Sequence, residues 1–227
     1  MKPTKAHGRL VGVLFLLIFA IGIAVFQFLQ GPVLFSDDFL TLTAVHSNDI
    51  ILSILLSFLS GILSICSAIL LFPIFKKYSY PLALLYLIFT VLNFITLSID
   101  NFSVVGMLEV SLAHIQNSTD TTDMFHILGQ VSYKKHWWTH YLSLLISCFP
   151  VFTLYYTFYI SKLVPRIISI VGLVATILMF TEILSSILGH SISMNMLIPI
   201  GLIQFILPLW LIIKDLNLEA LEVDKKS

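Results

Sequence analysis

Two histidines one helical turn apart are the clearest candidates for chemistry in this sequence. His136 and His140 enclose two tryptophans and a threonine in the segment HWWTH. Residues at positions i and i+4 lie on the same face of a helix, so both imidazoles could bind one metal ion. Glu182, or alternatively Asp100, could be a third ligand, which would leave an open position for an activated water. No glutamate follows the first histidine, so this is not the HExxH motif of metalloproteases.

The neighbouring aromatic residues favour a simpler interpretation of the same segment. Trp137, Trp138 and Tyr141 are typical of the aromatic belt where a membrane helix leaves the lipid, and histidine is also stable there. Glu182 paired with a histidine, as an ion pair or an acid–base pair, is the alternative to a metal site. The residue types and their spacing leave the metal site, the aromatic belt and the Glu182–histidine pair all open.

Several ionisable and amide side chains fall inside or at the ends of apolar segments. An ionisable group costs about 2.5–3.5 kcal/mol at the centre of a bilayer, so such residues are the first candidates for function. At 1.5 Å per residue, Asn93 lies about 18 Å and Asp100 about 28 Å from Pro81, and Glu182 lies about 25 Å from Pro165. We therefore predict an outward-facing polar pocket that lies mainly in the outer third of the membrane, with Asn93 deeper than the rest. Its candidate residues are Asn93, Asp100, His136, His140, Glu182 and His190.

Six long apolar segments must position these residues. A bilayer core about 30 Å thick requires about 20 apolar residues in each helix. Segments that meet this requirement occupy about residues 10–29, 50–75, 82–107, 137–160, 167–188 and 191–213. They are continuously apolar and about twice as long as a barrel strand, so they predict an all-α bundle of six transmembrane helices. Residues 1–213 form this domain, and residues 214–227 form a short charged tail.

Composition excludes a soluble domain and a nucleic-acid-binding protein. The chain is 58% hydrophobic and 11% charged, whereas a soluble domain is about 25% charged. The 12 basic residues are balanced by 12 acidic residues, so no basic excess is present to neutralise the phosphates of a nucleic acid. Membrane lipids are the expected partners.

The distribution of basic residues predicts the orientation of the chain, because short cytoplasmic loops are enriched in Lys and Arg. With six spans, both chain ends share one face with the turn at Lys76 and Lys77 and the turn from Lys162 to Arg166. Lys134 and Lys135 lie on the other face. Ten basic residues against two predict a multi-pass protein of the cell membrane with both termini in the cytosol.

Three short motifs are specific enough for comparison with a known family. Residues 8–17 read GRLVGVLFLL, residues 81–85 read PLALL after a basic turn, and residues 163–173 read LVPRIISIVGL. With a histidine at the head of the fourth span, they resemble a bacterial membrane family catalogued as domain of unknown function 4386, over nearly the whole chain. Many members carry an arginine near the position of Thr90, followed by Glu or Gln where Asn93 stands, and this arginine is absent here. The resemblance implies a polytopic membrane protein and brings no known activity.

Three functions are compatible with these features. The first is a non-catalytic protein that binds a lipid, a small solute or a partner in the polar pocket, since GxGxxG, P-loop and GxSxG motifs are absent from the sequence. The second is an outer-leaflet hydrolase with a histidine–carboxylate site that holds a metal or transfers protons. The third is a small transporter, although the sequence has no clear inverted repeat and no charged residue at the midplane.

Overall fold

The computed structural model describes residues 7–116, 122–190 and 193–217, and these residues contain helices and no strand. The α-helices are α1 (His7–Ile23), α2 (Gly31–Leu34), α3 (Phe39–Val45), α4 (Ser47–Phe75), α5 (Tyr80–Gln116), α6 (Thr122–Ser161), α7 (Arg166–Ile187) and α8 (Ile198–Lys214). A π-helix, Ala24–Gln30, joins α1 to α2, and a 3-10 helix, Met194–Leu197, precedes α8.

Six of the described helical stretches are long and apolar enough to cross a membrane. They are His7–Leu34, Ser47–Phe75, Tyr80–Gln116, Met124–Ser161, Arg166–Ile187 and Asn195–Lys214. The α1 span includes the π-helix and α2. The prediction of an all-α bundle with six spans is confirmed, and the chain is a multi-pass membrane protein.

The six spans form a ring in chain order. Each span packs against the spans before and after it, and α8 packs against α1 to close the ring. The closure is tight because Gly12 of α1 lies against Pro208 and Leu211 of α8. Short connections make consecutive helices antiparallel neighbours, so successive turns alternate between the two faces of the ring.

One face of the ring, here called the basic face, is held together by contacts between its turns. The Tyr78 hydroxyl, in the turn after α4, donates a hydrogen bond of 2.7 Å to the carbonyl oxygen of Ser161 at the end of α6. The Asn217 N–H, after α8, donates to the carbonyl oxygen of Leu163 at 3.0 Å. The turns that carry most of the basic residues therefore lie on the same face of the protein. The opposite face is called the distal face.

Helices α5 and α6 extend well beyond the lengths needed to cross a bilayer. The interval 108–136 between the predicted spans is helical wherever it is described, because Leu108, Leu112 and Tyr133 pack with residues of α2 and α3 into a second apolar core. At 1.5 Å per residue α6 is about 60 Å long, so this hairpin projects from the distal face. The polar residues 117–121 lie outside the described residues, as do residues 218–227 of the predicted tail.

The main apolar core extends from the basic face, at Phe75 and Phe158, to the distal half of α7, at Ile183. Phe75 is fully buried and contacts Phe158 and Tyr86 edge-to-face, with ring centroids 5.5 and 5.6 Å apart. Tyr155 is also buried and packs over Gly172 of α7. These aromatic residues join α4, α5, α6 and α7 between the centre of the ring and the basic face.

Gly12 permits the close approach of α1 to α8, so a larger residue there should weaken the fold. A Cβ at position 12 would lie 2.8 Å from the carbonyl oxygen of Pro208 and 2.9 Å from Cβ of Leu211. We expect Gly12→Ala to cost about 1–3 kcal/mol of stability through overpacking and to lower the melting temperature of the detergent-purified protein. Gly22→Ala, in the same helix, meets no atom within 4 Å and is the control. Equal melting temperatures for the two variants would contradict the tight ring closure.

Candidate polar site and central cavity

Asp100 of α5 lies between the two histidines of α6. Nδ1 of His136 is 3.0 Å from Oδ1 of Asp100, and Nδ1 of His140 is 3.0 Å from Oδ2. One potential ligand atom from each of the three residues lies within 4.8 Å of the others. Asp100 and His136 are buried, and His140 is partly buried. These three residues are called the Asp–His cluster.

One hydroxyl group binds the carboxylate of the cluster, and a second one extends the network. The Thr139 hydroxyl donates to Oδ1 of Asp100 at 2.9 Å. The Ser103 hydroxyl lies 2.8 Å from Oγ1 of Thr139 and 3.2 Å from Nδ1 of His136. The carboxylate therefore has partners on both oxygens, as a buried ionisable group requires. This network also joins α5 to α6 at the distal end of the ring.

The π-helix after α1 brings aromatic rings onto the cluster. Phe26, in the π-helix, stacks on His140 with ring centroids 6.0 Å apart and an interplanar angle of 9°. Phe35, at the end of α2, lies 6.1 Å from His136 and 6.2 Å from His140, centroid to centroid. Gln30 anchors the segment by donating to the Ser53 hydroxyl of α4 at 2.9 Å. Short π-helical segments are frequent at functional sites.

A partly open cavity of about 550 Å³ lies between the helices of the ring. Five spans contribute to its wall, namely those of α1, α4, α5, α6 and α8. Three amide side chains face it, those of Gln27, Asn93 and Gln204, and further hydroxyl groups come from Ser60, Ser64, Thr90 and Ser147. The remaining wall is mostly aliphatic and aromatic, and its lining residues carry no formal charge.

The cavity and the Asp–His cluster are neighbours. Phe26 lines the cavity with one part of its surface and stacks on His140 with another. Asn93, which lines the cavity, precedes Asp100 by two helical turns on the same face of α5, a distance of about 10 Å. Of the predicted pocket residues, Asp100, His136 and His140 therefore lie together in the cluster, and Asn93 lies in the adjoining cavity, nearer the middle of the ring.

Two other residues predicted to form the polar pocket lie outside the Asp–His cluster. Glu182 of α7 is buried, and its Oε1 accepts a hydrogen bond of 3.0 Å from the Ser186 hydroxyl one turn later. His190 is exposed after the end of α7, where its backbone N–H donates to the carbonyl oxygen of Ser185 at 2.9 Å. The carboxylate that lies beside both imidazoles is that of Asp100. Whether any of these side chains binds a ligand or a metal stays a prediction.

Several residues around the site were absent from the sequence-based candidates. Thr139 and Gln27 carry a signal that was available, because Thr139 lies between the two histidines and Gln27 is a lone amide in the first apolar segment. Phe26 and Phe35 carry no such signal, since they are aromatic residues among many others. Their roles depend on the local π-helical geometry, which hydrophobic periodicity does not predict.

Comparison with known proteins identifies a family for this chain. A family model with the description "Domain of unknown function (DUF4386)" matches residues 10–214, which include the cavity, the Asp–His cluster and all six spans except the first three residues of α1. Searches of curated proteins and of solved structures found no match. The resemblance predicted from the sequence motifs is confirmed, and the chain belongs to the family described as Domain of unknown function (DUF4386).

Proposed function

We propose that this membrane protein binds an uncharged, mostly apolar ligand, a lipid or a lipid-like small molecule, inside the ring of helices. The observation that carries the proposal is the cavity of about 550 Å³. This volume falls within the range of about 300–1,000 Å³ typical of small-molecule sites. A largely apolar wall with a few convergent polar groups is also the usual chemistry of such sites.

The lining supports an uncharged ligand with a few hydrogen-bonding groups. An isolated charge inside an apolar site is costly without a partner, and the lining residues of this cavity carry no formal charge. The amides of Gln27, Asn93 and Gln204 each donate and accept hydrogen bonds, so a hydroxyl, ester or amide group of the ligand would be satisfied there. The wall extends along the first span from Phe15 to Gln27, about 18 Å, which favours an elongated molecule.

Filling the cavity should prevent ligand binding without disturbing the fold. Gly201 of α8 lines the cavity, and a Cβ at this position meets no atom within 4 Å. We expect Gly201→Leu to reduce labelling of the purified protein by a diazirine-bearing monoacylglycerol roughly tenfold or more, equivalent to about 1.4 kcal/mol of binding free energy. Labelling is measured by mass spectrometry of the cross-linked protein.

The matched control is Gly106→Leu in α5. Gly106 also has open space around its Cβ position, but it is not a cavity residue. This variant should be labelled as strongly as the original protein. Equal labelling of the Gly201 and Gly106 variants, or labelling confined to the lipid-facing surface, would refute the proposed binding site.

A second candidate function is hydrolysis at the outer leaflet, which the Asp–His cluster favours. Two imidazoles and a carboxylate can transfer protons or hold a metal that activates water. The adjoining cavity would position a lipid ester near this group. Turnover of a fluorogenic ester by the purified protein, lost in His140→Ala, would support catalysis. If no turnover is seen, or if turnover is unchanged in His140→Ala, catalysis is refuted and ligand binding is the function.

Transport, the third expectation, shares its first step with the proposed function. Asn93 and Gln204 lie near the middle of their spans, so the cavity reaches the depth at which transporters bind their substrates. The uncharged lining does not favour an ion or a charged solute as cargo. Ligand binding in the cavity is therefore the property to establish first.

We further propose that the protein lies in the cell membrane with its basic face in the cytosol. Among the described residues, the basic face carries Arg9, Lys76, Lys77, Lys162, Arg166 and Lys214, whereas Lys134 and Lys135 lie toward the distal face. An excess of Lys and Arg marks the cytoplasmic side of a membrane protein. The cavity end that adjoins the Asp–His cluster would then lie toward the outer leaflet.

Cysteine labelling tests this orientation. In a variant with Cys66→Ser and Cys148→Ser, one new cysteine is introduced as Lys76→Cys or Lys134→Cys, both at exposed positions. In intact cells a membrane-impermeant maleimide should label position 134 but not position 76, and permeabilisation should expose both. The opposite pattern would show that the basic face is outside the cell.

A further inference from the structure

We propose that Asp100, His136 and His140 form a binding site for a divalent transition-metal ion. The three side chains come from two different helices and lie close together, with a potential ligand atom of each within 4.8 Å of the others. This inference does not depend on ligand binding in the cavity, and it would supply the metal for the second candidate function.

The spacing of the donor atoms fits a small metal ion. In a tetrahedral zinc site, with metal–ligand bonds of about 2.0–2.2 Å, neighbouring ligand atoms are about 3.3–3.5 Å apart. Each histidine Nδ1 in the cluster is 3.0 Å from a different oxygen of Asp100. To hold an ion, each imidazole would move a few tenths of an ångström away from its carboxylate oxygen, and the ligand atoms that are farthest apart, within 4.8 Å, would approach one another by up to about 1.3 Å.

The donor set selects the class of metal. Imidazole nitrogens favour zinc, iron, nickel and copper, whereas magnesium and calcium favour sites built from oxygen ligands. Two histidines and one carboxylate provide three protein ligands, which is the number found in catalytic sites that leave a position for water or substrate. Magnesium is accordingly the negative probe, and zinc and cobalt are the positive probes.

Hydroxyl groups around the three proposed ligands would orient the ligating carboxylate and strengthen metal binding. The Thr139 hydroxyl donates to Oδ1 of Asp100 at 2.9 Å, and the Ser103 hydroxyl contacts Thr139 at 2.8 Å. Hydrogen bonds of this kind orient ligating carboxylates, and their loss typically weakens metal binding about 10- to 100-fold. Phe26 and Phe35 cover the imidazoles from the side of the first span.

The competing explanation is a hydrogen-bonded network that joins α5 to α6 and holds no metal. Both explanations predict that substitution of Asp100 lowers stability, because a network partner is lost in either case. They differ in three measurements: metal content, stabilisation by added metal and the visible spectrum of a cobalt complex. These measurements on the intact chain decide between them.

The experiment uses the full chain, purified in detergent, stripped with a chelator and then dialysed against Zn²⁺, Co²⁺ or Mg²⁺. We expect one Zn²⁺ per chain by elemental analysis, and a higher melting temperature with Zn²⁺ but not with Mg²⁺. The Co²⁺ form should show the visible absorption of a four-coordinate complex with nitrogen and oxygen ligands. Asp100→Asn and His140→Ala should lose stoichiometric Zn²⁺ and this spectrum.

Matched variants distinguish the loss of a metal ligand from the loss of any other histidine. His46→Ala and His190→Ala remove exposed histidines outside the cluster and should keep one Zn²⁺ per chain. Thr139→Val should weaken Zn²⁺ binding about 10- to 100-fold, whereas Thr139→Ser, which retains the hydroxyl, should not. The comparison at Thr139 remains informative if Asp100→Asn does not fold.

Two results would overturn the metal site. One is a stripped protein that takes up no stoichiometric Zn²⁺ and gains no thermal stability from it. The other is Zn²⁺ uptake that is equal in the original protein and in His140→Ala. Gly201→Leu, which fills the cavity, should still bind Zn²⁺, so failure of the metal site and failure of ligand binding in the cavity are separate outcomes.

Discussion

The hydrocarbon core of a bilayer offers no hydrogen-bond partner, and this constraint explains where the ionisable groups of the spans lie. Three residues of α5 illustrate the effect. Ile99 and Phe102 are 51% and 68% exposed, whereas Asp100, between them in sequence, is 7% exposed. One face of the helix therefore meets lipid and the opposite face carries the polar residues into the ring, as the cost of an uncompensated polar group in lipid demands.

Polar side chains inside the ring follow two patterns. Many hydroxyl groups donate to a carbonyl oxygen of their own helix, as Ser57 does to Ser53 and Thr90 to Tyr86, at 2.8 and 2.7 Å. Such small residues need no partner from another helix and allow close helix packing. A carboxylate or an amide has more hydrogen-bonding capacity than its own helix can satisfy. Asp100 accordingly finds two histidines, and the amides of Gln27 and Gln204 face the cavity.

Three spans meet at the Asp–His cluster, at the distal end of the ring. Asp100 joins α5 to α6 through both histidines, and Phe26 adds the first span by stacking on His140. The same phenyl ring lines the cavity. The geometry of the Asp–His cluster and the shape of the cavity are therefore linked through a single side chain, and the π-helix that positions Phe26 serves both.

Hydrophobicity and helical periodicity were sufficient to predict the six spans, the all-α class, the shared face of the basic turns and the common face of His136 and His140, because each depends on residues close in sequence. The rise per residue also predicted the depth of Asp100 and Glu182, but both acids lie at nearly the same depth by that measure. Packing alone decided which of them lies beside the imidazoles, since the rotation and the neighbours of a helix are set by contacts between distant segments. The same reason explains why the ring, the central cavity and the extended α5–α6 hairpin became visible only in the tertiary structure.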